Sequence, residues 1–242
     1  LGTSFGGCSN PSGMTAIHLP ANTTPYTLSI TGGGEYNNYS GDINILSSLT
    51  IAGDSFITTF ISGNHIDRIF SVDDGQTVTL NNVTLENGAS TASGGAIYNT
   101  GVLTLNYVSI HDNSAQFYGG GIYTTYHSIL SYLYLNYSQV YNNTATATVG
   151  KGGGIYNDWG YLLMHYSSVD DNQAYGDGGG IWSSTGYTAS IDHSLVYSNT
   201  SQHGSGGDIY NYGPMTIDTT RVYNGNAAVD GGDIYTGYPG GG

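Results

Sequence analysis

The stretch Gly119-Gly120-Gly121-Ile122-Tyr123 is one of six copies of the same motif in this chain of 242 residues. Each copy has two glycines, a small residue or aspartate, an isoleucine and an aromatic residue. The copies begin at Gly94, Gly119, Gly152, Gly178, Gly206 and Gly231. Their first glycines are 25, 33, 26, 28 and 25 residues apart. A period of this length indicates a repeat protein whose units bury their apolar faces against their neighbours.

A second block follows each glycine pair and alternates like a β-strand. In Val102-Leu103-Thr104-Leu105-Asn106 the two leucines are two positions apart, so they share one face. Five positions after the second apolar residue of each block, which is Leu105 in this copy, there is another apolar residue. These residues are Ile110, Val140, Val169, Val196 and Val222. Polar segments such as Asn113-Ser114-Ala115 follow and are interpreted as turns. Each unit is therefore predicted to contain three short strands and no helix.

A unit of about 25 residues has the length of one coil of a parallel β-helix, whose successive coils pair about 4.8 Å apart. The pattern predicts an all-β, single-stranded solenoid of seven to eight coils over residues 1–242. Residues 1–14 are a lead-in, 15–88 diverged coils and 89–242 regular coils. The glycine pairs are expected at sharp corners that require a positive φ or leave no room for a side chain. In the diverged part, strands are predicted at 16–19, 26–30, 42–46, 49–52, 59–62 and 69–72.

The composition limits the possible partners. Three Lys and Arg residues stand against 17 Asp and Glu, giving a formal net charge of −14. This charge argues against binding to nucleic acid or to anionic membranes. No apolar run approaches 18 residues, so no membrane span is predicted. Few lysines and abundant Gly, Ser, Thr, Asn and Tyr favour an extracellular location, secreted or at the cell surface.

The sequence contains two kinds of candidate modification site. Cys8 is the only cysteine, which excludes an internal disulfide and leaves a small buried residue or an intermolecular bond. Acceptor motifs for N-glycosylation are as frequent as the abundance of Asn, Ser and Thr gives by chance. They lie at Asn22, Asn38, Asn82, Asn136, Asn142 and Asn199.

The layout resembles a known family. The features that carry the resemblance are the Gly-Gly-(Ala/Gly)-Ile repeats, the Asn-Ser-Ala and Asn-Gln-Ala turns, and the segments Cys8…Ile17-His18-Leu19-Pro20-Ala21 and 63–70. With them the chain resembles, over nearly its whole length, the right-handed parallel β-helix surface proteins of the polymorphic outer-membrane-protein-like type. The resemblance implies a right-handed β-helix. It leaves the function open, because such helices serve as adhesins, passengers, filaments and polysaccharide enzymes.

Catalytic chemistry has little support. Polysaccharide lyases need a basic residue, and hydrolases need converging carboxylates. The basic residues Arg68, Lys151 and Arg221 lie in different units. The doublets Asp73-Asp74 and Asp170-Asp171 consist of neighbours, which point to opposite faces of a strand. The chain is therefore predicted not to be an enzyme, and no catalytic residue is assigned.

Metal binding is not predicted apart from weak calcium candidates. The histidines at 18, 65, 111, 127, 165, 193 and 203 are scattered, and His165 and His193 are one position out of phase in their aligned blocks. Asp208 and Asp233 replace Gly or Ala at equivalent positions that are expected to face outward. Stacked about 4.8 Å apart, they would repel unless solvated or bridged by Ca²⁺.

The aromatic residue of each motif follows an inward isoleucine and should join an outward ladder. The ladder residues are Tyr98, Tyr123, Tyr156, Trp182, Tyr210 and Tyr235. A second column is expected at Tyr141, Tyr197 and Tyr223, in register with Asp170 and His111. Such ladders either stabilise the solenoid or form a contact surface for sugars or a neighbouring subunit.

These features favour a secreted structural or adhesive surface protein. The regular motif continues to Ile234-Tyr235 without a capping element, so either the chain is a fragment or its terminal coils dock head to tail into a filament, which is the expectation adopted here. Partners would be further copies of the chain, and carbohydrate or a host or cell surface. The alternative is a carbohydrate-active enzyme or sugar-binding module acting on polysaccharide. An ice-binding solenoid ranks last, because Tyr134 and Leu163 interrupt the array begun by Thr79 and Thr104.

Overall fold

The computed structural model describes residues 15–30, 41–184 and 186–237. These residues form a parallel β-solenoid of right-handed type with about seven turns. Each strand pairs in parallel with its counterpart one turn later along the chain. The predicted fold class is confirmed. No described segment is a helix of the length and apolarity needed to cross a bilayer.

Three of the four sheets have eight strands, and two of these three contain the block that alternates and the glycine motif. One contains β1 (Thr15–Leu19), β4 (Leu49–Gly53), β7 (Thr77–Asn81), β11 (Val102–Asn106), β15 (Tyr132–Asn136), β19 (Tyr161–His165), β23 (Ala189–Asp192) and β27 (Met215–Asp218). The other carries the Ile-aromatic pairs and contains β3 (Ile43–Ile45), β6 (Phe70–Val72), β10 (Ile97–Asn99), β14 (Ile122–Thr125), β18 (Ile155–Asp158), β22 (Ile181–Ser183), β26 (Ile209–Asn211) and β30 (Ile234–Thr236).

A third and a fourth sheet complete each coil. The third contains β2 (Tyr26–Thr27), β5 (Phe60–Ser62), β8 (Thr84–Glu86), β12 (Ser109–His111), β16 (Gln139–Tyr141), β20 (Ser168–Asp170), β24 (Leu195–Tyr197) and β28 (Arg221–Tyr223). The fourth has two-residue strands, β9 (Ala89–Ser90), β13 (Ser114–Ala115), β17 (Thr144–Ala145), β21 (Gln173–Ala174), β25 (Thr200–Ser201) and β29 (Asn226–Ala227).

The fourth sheet corrects the prediction of three strands per unit. The segment containing Ser114 and Ala115 is short and polar, which is typical of a turn. It is a strand because its groups pair across coils: the Ser114 N–H donates to the Gly88 carbonyl, and Ala115 is buried. The strands predicted between 16 and 72 all exist within about three residues of their predicted ends. The lead-in 1–14, with Cys8, and Asn38 lie outside the described residues.

The core is a stack of identical rungs. The inward isoleucines of β10, β14, β18, β22 and β26 are fully buried and in register. Leu103 and Leu105 face inward from β11, as the alternation predicts. Each such side chain stabilises the fold by about 1.5–3 kcal/mol relative to an exposed one.

The glycine pairs have the backbone role that was predicted. Gly119 has φ +63°, a conformation that L side chains rarely adopt. At Gly120 a side chain is excluded for another reason: its Cβ would lie 2.3 Å from the Gly153 carbonyl oxygen of the next coil. The first glycine therefore makes the turn, and the second permits the coils to stack.

Two further corners per coil are made by residues other than glycine in the left-handed region. Tyr107 and Asp112 are the examples in one coil, with φ of +54° and +55°. In both cases the N–H of the following residue donates to a side chain of the next coil: Val108 to Ser138 Oγ at 3.0 Å, and Asn113 to Asn143 Oδ1 at 3.1 Å. At these corners a side-chain oxygen of the next coil thus accepts the hydrogen bond that a backbone carbonyl accepts within the sheets.

The second of these corners builds a buried chain of amides, here called the inner asparagine ladder: Asn113, Asn143, Asn172 and Asn199. Asn172 shows the full pattern. Its Oδ1 accepts from the N–H and the Nδ2 of Asn143, at 2.9 and 3.0 Å. Its Nδ2 donates to the carbonyls of Val140 and Asp170 and to Asn199 Oδ1. All hydrogen-bonding capacity of this buried amide is used, so the ladder fixes the register of the coils.

Replacing Asn172 by alanine is expected to destabilise the protein by about 3 kcal/mol or more, because several buried groups lose their partners at about 1–3 kcal/mol each. Urea unfolding followed by circular dichroism measures the change. The control is Asn106→Ala, whose half-buried amide donates to Asn81 and accepts from Asn136. Water can replace it, so its loss should cost about 1 kcal/mol or less. Equal losses in both variants would contradict the role assigned to the ladder.

Candidate functional site: aromatic walls and corner clusters

The six motif aromatics lie in register on one wall and are here called the motif ladder. Centroid distances along Tyr98, Tyr123, Tyr156, Trp182, Tyr210 and Tyr235 are 5.2, 5.5, 4.2, 6.2 and 5.0 Å. Their strands pair at these positions. The geometry matches the single column that the repeat predicts.

Much of the motif ladder is covered by other protein groups. Tyr118 stacks on Tyr123 and on Tyr156, and Lys151 lies over Trp182 at 5.8 Å. Tyr156 and Tyr210 are only 8 and 9% exposed. Burial raises the pKa of Tyr123 to about 12. Tyr156 and Tyr210 therefore leave little surface open to a partner, and the other four rings are partly buried.

The second expected column is also in register. His111, Tyr141, Asp170, Tyr197 and Tyr223 pair successively on neighbouring strands. The rings stack where they are adjacent, His111 on Tyr141 at 4.7 Å and Tyr197 on Tyr223 at 5.1 Å. Burial raises the pKa of Asp170, which lies between two of these rings.

A third column, not predicted from the sequence, is the most exposed. Tyr107, Tyr137 and Tyr166 occupy successive left-handed corners and are 47, 47 and 46% exposed. Neighbouring rings stack 5.1 Å apart with interplanar angles of 11 and 6°. We call these three residues the corner tyrosine ridge. The signal in the sequence is the tyrosine directly after the last residue of β11, β15 and β19.

The backbone gives no reason for tyrosine at these corners. A left-handed φ costs a residue with a side chain about 1–2 kcal/mol, and Asn and Gly tolerate it best. Other coils place Asn82, His193 and Thr219 at the equivalent corners, with φ of +55°, +46° and +46°. Strain combined with exposed aromatic surface marks the ridge as a candidate functional feature.

The stacking decides which atoms the ridge presents. Because the rings are nearly parallel at 5.1 Å, Tyr137 covers one face of Tyr107 and one face of Tyr166 and is itself covered on both faces. The ring of His193 contacts Tyr166 as well. The exposed rim of the ridge is therefore formed mainly by ring edges, and the stacked faces are not open to a sugar ring.

A shallow depression of about 330 Å³ lies where β18, β22 and β26 end. Its lining residues are Lys151, Asp158, Trp159, Trp182, Ser184, Tyr210 and Tyr212. Trp159 is half exposed at a left-handed corner with φ +57°. Burial raises the pKa of Asp158, although a hydrogen bond from Ser184 opposes the shift.

The three basic residues, Arg68, Lys151 and Arg221, each contact acidic, polar or aromatic groups of the solenoid itself. The Arg68 guanidinium donates to Asp42, Ser71 and Ser90 and to backbone carbonyls at the first glycine corner. Lys151 pairs with Asp177 at 2.9 Å. Arg221 lies over the Tyr223 ring at 5.0 Å.

The carboxylate doublets do not converge. Asp74 accepts hydrogen bonds from the backbone of Ser128 and Ile129, which anchors the loop before β15. Asp171 occupies a left-handed corner next to Asp170. The structure brings a different group together: His165, Asp192 and His193 are adjacent, although the sequence alignment placed the histidines out of phase.

The prediction that Asp208 faces outward is wrong. Asp208 is fully buried, and its Oδ1 accepts from the N–H and the Nδ2 of Asn199 at 3.0 and 2.8 Å. It therefore continues the inner asparagine ladder. The next ladder position is Gly225, whose missing side chain leaves room, since a Cβ there would lie 2.8 Å from the Asp208 carboxyl carbon. Asp233 is exposed, and its Oδ1 accepts from the Gly225 N–H at 2.8 Å.

The predicted glycosylation acceptors differ in accessibility. Asn22 and Asn142 are exposed, and Asn82 and Asn136 are half-buried. Asn199 is fully buried, and its Nδ2 donates to the carbonyls of Val169 and Tyr197 and to Asp208. Asn199 is therefore excluded as an acceptor in the folded protein, because the glycosylated nitrogen lies inside the coil.

Comparisons with models of protein families, with curated proteins and with solved structures find no match.

The burial of Asp208 should make stability depend on pH. Burial raises the pKa of this carboxyl to about 7, from an ordinary value of 3.8, even though hydrogen bonds from Asn199 oppose the shift. Between these values the folded chain holds a proton that the unfolded chain has released, so stability should fall as pH rises towards 7. Asp208→Asn keeps the acceptor oxygen and should remove this part of the slope. Unfolding midpoints of both proteins from pH 4 to pH 8 measure it, and parallel profiles would contradict the assignment.

Proposed function

We propose that this chain is an extracellular structural protein that associates with copies of itself through the corner tyrosine ridge. One observation carries the proposal: three strained, half-exposed tyrosines stack at successive corners where the backbone favours other residues. Aromatic side chains supply large contact area at low cost in conformational entropy, and tyrosine adds a hydroxyl for hydrogen bonds.

The form of the ridge supports a protein partner. Its rim of ring edges and hydroxyls suits the mixed apolar and polar surface of another protein. The same ridge on a second copy offers edges at the same spacing, since the spacing is set by the coils. A symmetric contact of this kind would join two solenoids side by side.

The acidic character of the chain limits which surfaces can meet. A net charge of −14 opposes close approach of two copies unless the contact is locally neutral. The ridge residues Tyr107, Tyr137 and Tyr166 carry no formal charge. Association through the ridge should therefore strengthen as salt screens the rest of the surface.

Head-to-tail assembly into a filament stays a prediction. In the last described coil Ile217 and Ile234 are exposed, whereas Ile191 and Ile209 are fully buried at the same positions one coil earlier. A further coil of any origin, from the same chain or from a second copy, would cover these side chains. Location outside the cell is proposed from composition alone.

Sugar binding is the second candidate, and the depression beside Trp159 favours it. Aromatic, carboxyl and amino groups surround about 330 Å³ of open space there, a combination found in ligand sites. The ridge and the depression are separate features, so variants of each test the two functions independently. A glycan array tests sugar binding: the wild type should bind a glycan, and the control variant Trp159→Ala should lose that binding.

Replacing Tyr107, Tyr137 and Tyr166 together by asparagine should abolish self-association while leaving the fold at least as stable. Asparagine tolerates the left-handed corner better than tyrosine, and Asn82 already occupies it in an earlier coil. Sedimentation velocity over a range of protein and salt concentrations measures association, and urea unfolding measures stability.

The matched control removes a stacked pair from the neighbouring wall. Tyr132 and Tyr161 stack at 4.8 Å, and the preceding coils carry Thr77 and Val102 in that column. Tyr132→Thr with Tyr161→Thr should leave association unchanged. A monomeric wild type, or equal loss in both sets of variants, would contradict the proposal. A loss of more than about 2 kcal/mol in the asparagine variant would assign the ridge to stability instead.

A further inference from the structure

Three side chains with metal-binding atoms meet beside the end of the corner tyrosine ridge. His165 Nδ1 lies 2.8 Å from Asp192 Oδ2, and His193 Nδ1 lies 2.5 Å from Asp192 Oδ1. One ligand atom from each residue lies within 4.8 Å of the other two. Among the described residues this is the one group of three histidine, cysteine or acidic side chains that meets this criterion.

The winding of the coil explains how residues far apart in sequence come together. His165 ends β19 and is the register partner of Asp192, which ends β23. His193 follows Asp192 at a left-handed corner, with φ +46°. Consecutive residues of a strand point to opposite faces, but a left-handed residue interrupts the alternation, so Asp192 and His193 reach the same side. The one-residue offset between the histidines is therefore what places them around one carboxylate.

Earlier coils carry different residues in these two columns. Asn81, Asn106 and Asn136 precede His165 in its column, and their amides bond from coil to coil at 2.8 and 2.9 Å. Tyr107, Tyr137 and Tyr166 precede His193 at the corner. Within two coils, the amides and tyrosines of these two columns are thus replaced by two imidazoles and a carboxylate.

Aromatic packing holds the imidazoles in place. The Tyr166 ring contacts the His165 ring edge-on at 4.4 Å and the His193 ring at 4.9 Å. The two imidazoles lie 6.0 Å apart at 72° to each other. Asp192 lies between the two rings, with one carboxylate oxygen within hydrogen-bond distance of each imidazole.

We propose that His165, Asp192 and His193 form a surface site for a zinc-like divalent cation. Two imidazole nitrogens and one carboxylate oxygen are a common zinc ligand set, with bonds of about 2.0–2.2 Å and a fourth position left open. The three ligand atoms lie within 4.8 Å of one another, and to surround one ion at these bond lengths they must approach to about 3.4 Å by side-chain rotation. Where zinc binds Nδ1, it takes the place of the N–H that donates to Asp192, and the proton of the neutral imidazole moves to Nε2. The half-exposed setting leaves the fourth position to water or to a group of a partner.

The ligand set also predicts selectivity. Imidazole nitrogen suits Zn²⁺, Ni²⁺ and Cu²⁺, whereas Ca²⁺ takes six to eight oxygen ligands. The inference does not rest on self-association, because the three ligands come from one chain.

Isothermal titration of the full chain with zinc chloride at pH 7.5 tests the site. We expect one zinc ion per chain, and no competition from millimolar calcium. His165→Asn and His193→Tyr place at each position a residue that earlier coils already carry, so both variants should fold. Each should weaken zinc binding about tenfold or more, since loss of even a group that orients a ligand costs 10–100-fold. Asp192→Asn should have a similar effect.

The matched control is His111→Asn. His111 also contacts two carboxylates, Asp112 at 2.8 Å and Glu86 at 3.9 Å, but supplies only one imidazole. Its loss should leave zinc affinity unchanged. Absence of zinc binding by the wild type, equal weakening by the control, or full affinity in the His165→Asn and His193→Tyr variants would overturn the proposal. Imidazole NMR shifts on zinc addition should move at His165 and His193, and shifts confined to other histidines would also overturn it.

Discussion

Corners, rather than strands, set the main constraint on this solenoid. A parallel sheet satisfies its own backbone, but at two corners of each coil a left-handed residue interrupts the ladder, and the next N–H has no strand partner. At Val108 and Asn113 that N–H donates to a side-chain oxygen of the following coil, from Ser138 and Asn143. An unpaired buried N–H costs about 1–3 kcal/mol, and the same need returns at every turn. Buried hydroxyls therefore run beside the apolar rungs from Ser138 onward, and buried amides from Asn113 onward.

Asp208 shows how strictly this need is met. In the regular coils the acceptor for each corner N–H is the next asparagine, and a glycine opposite leaves room for it. Where the next position is Gly225, the carboxylate of Asp208 enters from the neighbouring strand and accepts from Asn199 in the same way. The exchange preserves the hydrogen bonds that Asn199 donates, but the other carboxyl oxygen of Asp208 is buried without a hydrogen-bond partner. The exchange leaves the acidic group of Asp208 buried, and burial raises its pKa to about 7.

The repeat period and the alternation of Leu103 and Leu105 were enough to predict the fold class, the coil length, the inward isoleucines and the alignment of the motif ladder. Three features needed coordinates. Ser114 and Ala115 are too few to show a strand pattern, and their pairing is visible only across coils. The sequence predicts a solvated carboxylate at Asp208, because nothing in it shows that the corner at Asn199, nine residues earlier, brings its amide to this side chain. The pairing of His165 with His193 depends on a left-handed backbone conformation at the corner, and nothing in the sequence around Asp192 indicates that conformation.

The proposed self-association surface and the proposed zinc site have the same origin in the fold. Because the chain winds once per repeat, equivalent residues of successive coils stack into a column. Tyr107, Tyr137 and Tyr166 become a ridge, and a change of residue type at its end becomes a candidate zinc site. The most direct test of the winding is hydrogen exchange by NMR at the N–H groups of Asn113, Asn143 and Asn172. Slow exchange of all three, with cross-peaks between the side-chain amides of successive ladder asparagines, is the predicted result. Exchange as fast as in the exposed loop at Tyr126–Ser128, without those cross-peaks, would contradict a coil that turns once per glycine pair.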